Sequence, residues 1–284
     1  MTRNIKIMKR IYVINSKKEK EPFSLKKIIR SAKRVGASKD LAEEIAKIIQ
    51  REAYPGIKTL DIFKKIKKLL SKEKPSAALK FNLKEAMRKL GPTGFPFEKY
   101  IGQIFKKLGY KVKLNQHVFG ICCDYEIDFL AQKDNLLYIG ECKYRNLAGE
   151  KVDSKVALYN YARFLDLKKA KCFKNLKIKS LLVTNTKFTT KAIKYSNCTG
   201  VELLGWNYPE NKGLEYLIDK EKLYPITILP SLKKYIADIF VTKKIMLIQD
   251  ILDINLQKFS KEVKIPIESL NPLIKEAKIL LKSD

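Results

Sequence analysis

The sequence predicts a mixed α/β fold that lies between two mainly helical segments. Residues 23–90 carry apolar side chains at helical spacing, and the pattern is helical again from residue 224 onward. Between them, residues 95–205 pass from a helix through alternating strands to further pairs of helix and strand. That order is typical of a mixed sheet flanked by helices.

The N-terminal segment opens with a short apolar strand, IYVI, and the polar turn KKEKE. Four amphipathic stretches then predict helices: PFSLKKIIRSAKRV, SKDLAEEIAKIIQREA, TLDIFKKIKKLLSKEK and PSAALKFNLKEAMRKL. Ser38 and Thr59 are predicted N-caps, whereas Gly36 and Gly91 are predicted helix ends. A small helical module behind a hairpin is expected.

The stretch GPTGFPFE at residues 91–98 holds two glycines and two prolines, and it predicts a domain boundary. A helix is predicted at PFEKYIGQIFKKLGY, and strands at YKVKLNQHVFG, CDYEIDFLA and LLYIGECK. Another helix is predicted near VDSKVALYNYARFLDLKKA, followed by the strand IKSLLVTNT, the helix TTKAIKYSNCTG and the strand VELLGW.

The last segment predicts helices at LPSLKKYIADIF, IMLIQDILD, LQKFSKEV and IESLNPLIKEAKILLK. The predicted division is therefore into three domains, residues 1–91, 92–223 and 224–284. A length of 284 residues suits two or three modest cores.

The net charge of +29 predicts a polyanionic partner, and nucleic acid fits best because lysines occur along the whole length. The alternative is the compositional habit of a proteome rich in Lys and Ile. No apolar run approaches the ~18 residues that a bilayer requires, and the basic start lacks an apolar signal region. A cytoplasmic protein that does not insert in membranes is expected.

The sequence restricts the metal chemistry that the chain can support. Its single histidine, His117, argues against a histidine-based metal site or a Ser-His-Asp triad. The five cysteines are odd in number and show no C-x-x-C spacing, so reduced and mostly buried thiols are expected. Any metal ion would be held by carboxylates, which favours a hard ion such as Mg²⁺.

Acidic residues alternate along one predicted strand, at Asp124, Glu126 and Asp128, and Glu141 and Lys143 share a face of the next. If a tight turn forms around residues 134–135, Asp128 lies opposite Glu141 and Glu126 lies opposite Lys143. A divalent metal would offset the repulsion between the two opposed carboxylates. The alternative is a solvated hairpin face in which Glu126 and Lys143 form an ordinary ion pair, and Asp124 is read as simple solvated charge.

Five stretches between Gly94 and Gly205 together resemble the Mrr-like branch of the PD-(D/E)xK restriction-endonuclease superfamily. They are FEKYIGQIFKKLGYKV, EIDFLA, IGECKYR, KVALYNYAR and VTNTKFTTKAIKYSNCTGVELLG. The resemblance implies a restriction-endonuclease-like mixed sheet and the metal-dependent hydrolysis of DNA by an endonuclease.

The resemblance also implies roles for individual residues. Asp128 and Glu141 would bind Mg²⁺ or Mn²⁺ together with the backbone carbonyl of Cys142, and Lys143 would position or deprotonate the attacking water. Glu98 would complete the acidic cluster or act through a metal-bound water. Two residues of the following helix, Tyr159 and Arg163, would contact DNA phosphate, although Tyr159 could equally belong to the core.

The N-terminal segment resembles an ATP-cone, a small regulatory nucleotide-binding domain. The stretch YVINSKKEKEPFSLKKI carries the resemblance, and ATP or dATP is the implied effector. Lys17, Lys18, Ser24 and Lys27 are the predicted nucleotide-binding residues, whereas the basic pair is displaced and the glycine of the family's turn is absent. Residues 1–90 contain 26 Lys+Arg against 9 Asp+Glu, a net charge of +17, so direct DNA contact is the alternative.

The C-terminal segment resembles a degenerate helix-hairpin-helix pair, whose turn would be Val263–Pro266. This turn lacks the glycine that lets backbone amides approach phosphate, so a packing or dimerising helical cap is the alternative. A homodimer would supply two active sites for cutting both DNA strands. Two rival functions are a catalytically silent DNA-binding protein and a nucleotide-sensing regulator that keeps the nuclease fold.

Overall fold

The computed structural model describes residues 11–90, 95–147, 149–170, 173 and 175–282. The chain divides into two compact units, one comprising Met1–Asn82 with Lys278–Asp284 and the other Leu83–Ala277. The predicted boundary at residues 91–92 lies outside the described residues. In the described part of the chain, no helix is both long and apolar enough to cross a bilayer.

Among its described residues, the first unit contains a three-stranded sheet and four complete helices. Its strands are β1 (Tyr12–Ile14), β2 (Lys20–Pro22) and β3 (Ile57–Lys58), in the order β2-β1-β3, with β1 antiparallel to β2 and parallel to β3. Its helices are α1 (Leu25–Arg34), α2 (Lys39–Glu52), α3 (Thr59–Glu73) and α4 (Pro75–Phe81).

The helix ends in the first unit agree only in part with those predicted from local side chains. The Ser38 side chain caps α2 by accepting the N–H of Leu41, as predicted. Thr59 is wrong as an N-cap, because α3 is capped at Lys58 without a side-chain hydrogen bond. The single helix predicted over residues 75–90 is also wrong, since it breaks at Asn82 and resumes as α5 (Leu83–Arg88).

The second unit contains a five-stranded mixed sheet. After α6 (Phe95–Lys107) come β4 (Lys111–Phe119), β5 (Asp124–Lys133) and β6 (Leu136–Lys143), then β7 (Lys151–Val152), α7 (Ser154–Lys169), β8 (Lys177–Thr184), β9 (Lys187–Phe188), α8 (Thr190–Thr199) and β10 (Glu202–Leu204). The sheet order is β10-β8-β6-β5-β4. Antiparallel pairs join β4, β5 and β6, and parallel pairs join β6, β8 and β10. This is the mixed sheet flanked by helices that the sequence predicts.

Close packing in the centre of the sheet requires a glycine. Gly140 on β6 stands opposite Phe129 on β5. A Cβ atom at Gly140 would lie 2.2 Å from the Phe129 ring, which is fully buried. Helix α6 packs its own apolar side nearby, with Phe97, Ile101 and Ile104 all fully buried.

The remaining helices are α9 (Leu214–Lys220), α10 (Lys234–Thr242), α11 (Leu256–Val263) and α12 (Ile267–Leu281). The helix predicted at residues 245–253 is wrong, because this segment forms turns. There the Asp250 carboxylate accepts the N–H groups of Met246 and Leu247, and such local side-chain bonds compete with a helix. Between α11 and α12, Lys264 adopts a left-handed conformation with φ 54° in place of a glycine.

Most of the described cysteines are exposed. Cys122, Cys123 and Cys198 are exposed free thiols, and Cys142 alone among the four described cysteines is buried. The prediction of mostly buried thiols is therefore wrong for the described residues. Cys172 lies outside them.

Candidate functional site

Asp128 on β5 and Glu141 on β6 are brought close together by the predicted register. The two strands pair from Lys133–Leu136 to Phe129–Gly140, which confirms the predicted turn around residues 134–135. The described ladder ends one pair before Asp128 and Glu141. At this point the Asp128 Oδ2 atom accepts the backbone N–H of Cys142 at 2.6 Å, so the Asp128 carboxylate is held against β6.

Glu141 lies between two cations. Its Oε1 atom is 2.5 Å from the Lys143 Nζ atom, and its Oε2 atom is 2.6 Å from the Arg163 Nη2 atom. The Glu141 and Arg163 side chains are 6% and 5% exposed, whereas that of Lys143 is 37% exposed. One partner of Glu141 is thus buried with it, and the other reaches solvent.

Glu98, in the first turn of α6, belongs to the same electrostatic cluster. Burial raises the pKa of Glu98 to about 7, with further contributions from the charges of Asp128 and Glu141. Burial and the charge of Glu141 likewise raise the pKa of Asp128 to about 6, although the hydrogen bond from Cys142 opposes the shift. We define Glu98, Asp128 and Glu141 as the acid cluster.

Two members of the acid cluster, Asp128 and Glu141, have partners within the protein. The N–H of Cys142 bonds Asp128, while Lys143 and Arg163 contact Glu141. Within the part of the chain that the structure describes, no three His, Cys, Asp or Glu side chains are arranged to hold a metal ion. The carboxylates of Asp128 and Glu141 are close enough to Glu98 to contribute, after burial, to its raised pKa, and the Asp128 Oδ2 atom and both Glu141 oxygens face protein donors.

The two other acidic residues of β5, Asp124 and Glu126, do not belong to the acid cluster. Asp124 and Glu126 are exposed on β5 and stand opposite Phe119 and His117 of β4. The predicted pairing of Glu126 with Lys143 lies beyond the described ladder, and Lys143 contacts Glu141. The Cys142 side chain is buried, and burial raises the pKa of its thiol.

The two residues predicted to contact DNA lie one turn apart on the same face of α7, with the Arg163 guanidinium carbon 5.9 Å from the centre of the Tyr159 ring, but they differ in exposure. Tyr159 is 61% exposed, so it does not belong to the core. Arg163 is buried, and its guanidinium also donates to the Asn160 Oδ1 atom at 2.9 Å and to the Glu126 carbonyl at 3.3 Å. In this position Arg163 is a partner of Glu141 rather than an exposed phosphate contact.

Sequence reasoning missed the polar groups that support Arg163. The Asn160 Nδ2 atom donates to the Ser180 Oγ atom at 2.8 Å, and both side chains are 2% exposed. Asn160, Arg163 and Asp166 follow one another at three-residue spacing on α7, on the buried side that also carries Leu167. The sequence signal that could have revealed this network is the presence of polar residues at positions of α7 where helical spacing predicts burial.

Asp166 fixes the turn between β4 and β5 to α7. Its carboxylate accepts the N–H groups of Ile121 and Cys122 at 3.1 Å and the hydroxyl of Tyr125 at 3.0 Å. Burial acts to raise the pKa of Asp166, but the hydrogen bonds outweigh it and the pKa is lowered. Gly120 permits this approach, since a Cβ there would lie 2.1 Å from the Asp166 Oδ2 atom.

The predicted nucleotide-binding residues lie in the turn between β1 and β2 and at the start of α1. Lys17 and Lys18 are exposed in the turn between β1 and β2. The Ser24 side chain caps α1 by accepting the N–H of Lys27 at 3.3 Å, and the Lys27 Nζ atom lies 2.9 Å from the Glu21 carboxylate. Ser24 and Lys27 thus have structural partners within the unit, whereas Lys17 and Lys18 present their side chains to solvent.

Comparisons with known proteins match most of the second unit and the end of α12. A family model described as restriction endonuclease matches residues 90–207, and one described as AF1548-like, C-terminal, matches residues 224–281. An uncharacterized protein of Archaeoglobus fulgidus is 35% identical over 178 residues, which are 63% of this chain and 98% of that protein. The crystal structure of a protein of unknown function, AF1548, is 32% identical with a TM-score of 0.56, covering 66% of this chain and 98% of that one.

Proposed function

This chain belongs to the AF1548-like protein family and contains a restriction endonuclease domain, and we propose that it is a metal-dependent DNA endonuclease. The observation that carries the proposal is the meeting of the acid cluster with Lys143 at the end of the β5–β6 pair. The net charge of +29 supports DNA as the substrate, because a positive field attracts a phosphate backbone.

The donor set fits a hard divalent cation such as Mg²⁺ or Mn²⁺. Asp128 and Glu141 would hold it through carboxylate oxygens and Cys142 through its backbone carbonyl, which are the donors that such ions prefer. Repulsion from Glu141 contributes to the raised pKa of Asp128, and an added cation would reduce that repulsion. When bound, the ion would polarise the scissile phosphate and lower the pKa of a water molecule.

Three side chains would have separate roles in binding and hydrolysis. The ammonium group of Lys143 is partly exposed and can turn toward the phosphate, where it would stabilise developing negative charge. Glu98, whose pKa is about 7, can hold or release a proton near neutral pH. The exposed side chain of Tyr159 would contact the DNA backbone.

A nicking assay on supercoiled plasmid tests the proposal. We expect the wild type to nick DNA with Mg²⁺ or Mn²⁺ and to stop when EDTA is added. Asp128→Ala and Lys143→Ala should each lose activity, by at least about 100-fold. The matched controls are Asp124→Ala on the same strand and Lys113→Ala on β4, both of which change exposed charges and should keep activity.

Two outcomes would reject parts of this proposal. Equal cleavage by the wild type and by all four variants would discard the site assignment. Tight DNA binding without cleavage under any metal condition would favour the alternative, a catalytically silent DNA-binding protein.

Regulation by ATP or dATP is a second proposal, and the exposed Lys17–Lys18 turn favours it. Two ammonium groups on one turn can meet nucleotide phosphates as point charges. Calorimetric titration of the full chain with ATP and dATP tests this, and an absence of heat together with an unchanged melting temperature would reject it.

A further inference from the structure

Glu141 has two cationic partners whose surroundings differ sharply. Arg163 is 5% exposed and contacts the Glu141 Oε2 atom, whereas Lys143 is 37% exposed and contacts the Oε1 atom. A buried guanidinium with several partners is fixed by packing, and a half-exposed lysine can exchange its contact for water. The two cations on this carboxylate therefore differ in how readily each can be displaced.

Arg163 is supported by a chain of buried hydrogen bonds. Its Nη2 atom contacts both Glu141 and the Asn160 Oδ1 atom, and its Nη1 atom contacts the Glu126 carbonyl. Asn160 in turn donates to Ser180 on β8, the strand next to β6. Buried polar groups of this kind hold their geometry because each lost bond leaves an unsatisfied group away from water.

We propose that Arg163 is a positioning residue that holds Glu141 permanently, and that Lys143 is the exchangeable counter-ion that leaves Glu141 when a divalent cation arrives. The inference rests on the proposed metal-dependent function. A carboxylate with one fixed and one displaceable cation keeps its orientation while freeing Oε1. The same exchange releases the Lys143 ammonium group for the phosphate, so ion binding and the availability of Lys143 are linked.

The physical basis is charge balance in a confined site. A divalent cation and the ammonium group of Lys143 repel each other and cannot share the Oε1 atom at close range. Lys143 has a route to solvent, whereas moving Arg163 would separate a buried guanidinium from its partners and leave the Asn160 Oδ1 atom without its donor. Displacing Lys143 from Glu141 therefore costs less free energy than displacing Arg163.

Mn²⁺ binding to the full chain, measured by calorimetry without DNA, tests the inference independently of activity. Lys143→Met should bind Mn²⁺ about 3- to 10-fold more tightly than the wild type, because no internal cation competes for Oε1. Arg163→Met should bind about 10- to 100-fold more weakly, since partners that orient a metal ligand have effects of this size. Arg163→Lys keeps the charge but cannot reproduce the forked contact, so its affinity should be intermediate.

Matched variants separate positioning from charge. Asn160→Ala leaves the net charge unchanged yet removes a partner of Arg163, and it should weaken Mn²⁺ binding in a fully folded protein. Lys169→Met removes an exposed charge from the same helix and should leave Mn²⁺ affinity unchanged. Melting temperatures confirm that each variant is folded, and Asn160→Ala keeps the test decisive if Arg163→Met does not fold.

The outcomes are distinct for the inference and for the proposed function. If the wild type cuts DNA and binds Mn²⁺, but Arg163→Met binds it more tightly, then Arg163 acts only as a competing charge and the inference is overturned while the nuclease proposal stands. Unchanged affinity in both Asn160→Ala and Arg163→Met also overturns it. A wild type that binds no Mn²⁺ overturns the inference together with the metal dependence.

Discussion

Arg163 in the second compact unit and the Lys17–Lys18 pair in the first differ sharply in exposure. In the second unit, Arg163 and Lys143 contact the carboxylate of Glu141, and Arg163 is buried. In the first unit, Lys17 and Lys18 are exposed on a turn. Packing thus determines the position of the Arg163 charge, while solvent surrounds the lysines of the turn. The predicted functions differ accordingly, because catalysis needs fixed groups whereas phosphate attraction needs only positive charge nearby.

The largest expected effect of a single substitution is on stability at Arg163. Arg163→Met should lower the free energy of unfolding by about 3–5 kcal/mol, because it leaves Glu141 as a buried charge with a lost partner. Urea denaturation of the metal-free protein measures this change. The control is Lys17→Met in the other unit, which should stay within about 0.5 kcal/mol of the wild type. Equal losses of unfolding free energy in Arg163→Met and Lys17→Met would show that Arg163 is no more important for stability than an exposed lysine.

The next effect comes from packing beneath the acid cluster. Gly140→Ala would place a methyl group 2.2 Å from the buried Phe129 ring, and we expect a loss of about 1–3 kcal/mol. Thermal or urea unfolding measures it. The double variant Gly140→Ala with Phe129→Leu should recover part of the loss, since the smaller side chain opens space. A Gly140→Ala protein as stable as the wild type would show that the sheet relaxes freely there.

The sequence predicts the central sheet better than the helical segments. Alternating side chains and the tight turn at residues 134–135 determine the β5–β6 register, and so they bring Asp128 and Glu141 near each other. The segment 245–253 has an apolar helical pattern, yet Asp250 captures its backbone N–H groups. Periodicity reports burial and cannot reveal which side chain competes for the backbone.

The sequence predicted the residues of the candidate site but not all of their contacts. Strand alternation and the expected hairpin register indicated Asp128 and Glu141, whereas Glu98, on a helix, followed from the family resemblance. The buried position of Arg163 depends on how α7 rotates against the sheet, which local spacing does not specify. A single basic residue on a helix is compatible with both a DNA contact and an internal ion pair, and only the tertiary packing distinguishes them.

The pH dependence of stability should have opposite signs in the two units. The pKa of Glu98 is raised from 4.5 to about 7, so the folded protein binds a proton more tightly than the unfolded chain in that window. Stability without metal should therefore fall as pH rises from 4.5 to about 7, by about 1–2 kcal/mol after allowance for the partial exposure of Glu98. Glu21 of the first unit has a lowered pKa, owing first to a hydrogen bond from Asn15 and then to Lys27, so its contribution is instead lost as pH falls.

Urea denaturation in EDTA at a series of pH values measures this dependence. Glu98→Gln should make the decline shallower and confine it to pH values below about 6, because Asp128, whose pKa is raised to about 6, still contributes. Glu21→Gln should leave that decline in place and alter the curve only on the acidic side. A wild-type stability that rises with pH across the window would contradict the assignment of Glu98 to a desolvated, repulsive site.

The smallest expected stability change is in the exposed turn of the first unit, where a substitution should alter ATP affinity but hardly alter the free energy of unfolding. Lys17→Ala with Lys18→Ala should change the free energy of unfolding by no more than about 0.5 kcal/mol, because both side chains are exposed. If these lysines bind ATP phosphates, the same variant should lose at least about tenfold in ATP affinity, equivalent to about 1.4 kcal/mol. Lys47→Ala with Lys64→Ala, at two other positions of this unit, removes the same charge and should leave ATP affinity unchanged. An equal loss of affinity in both double variants would mean that ATP responds to the overall positive field, and the turn would then have no specific role.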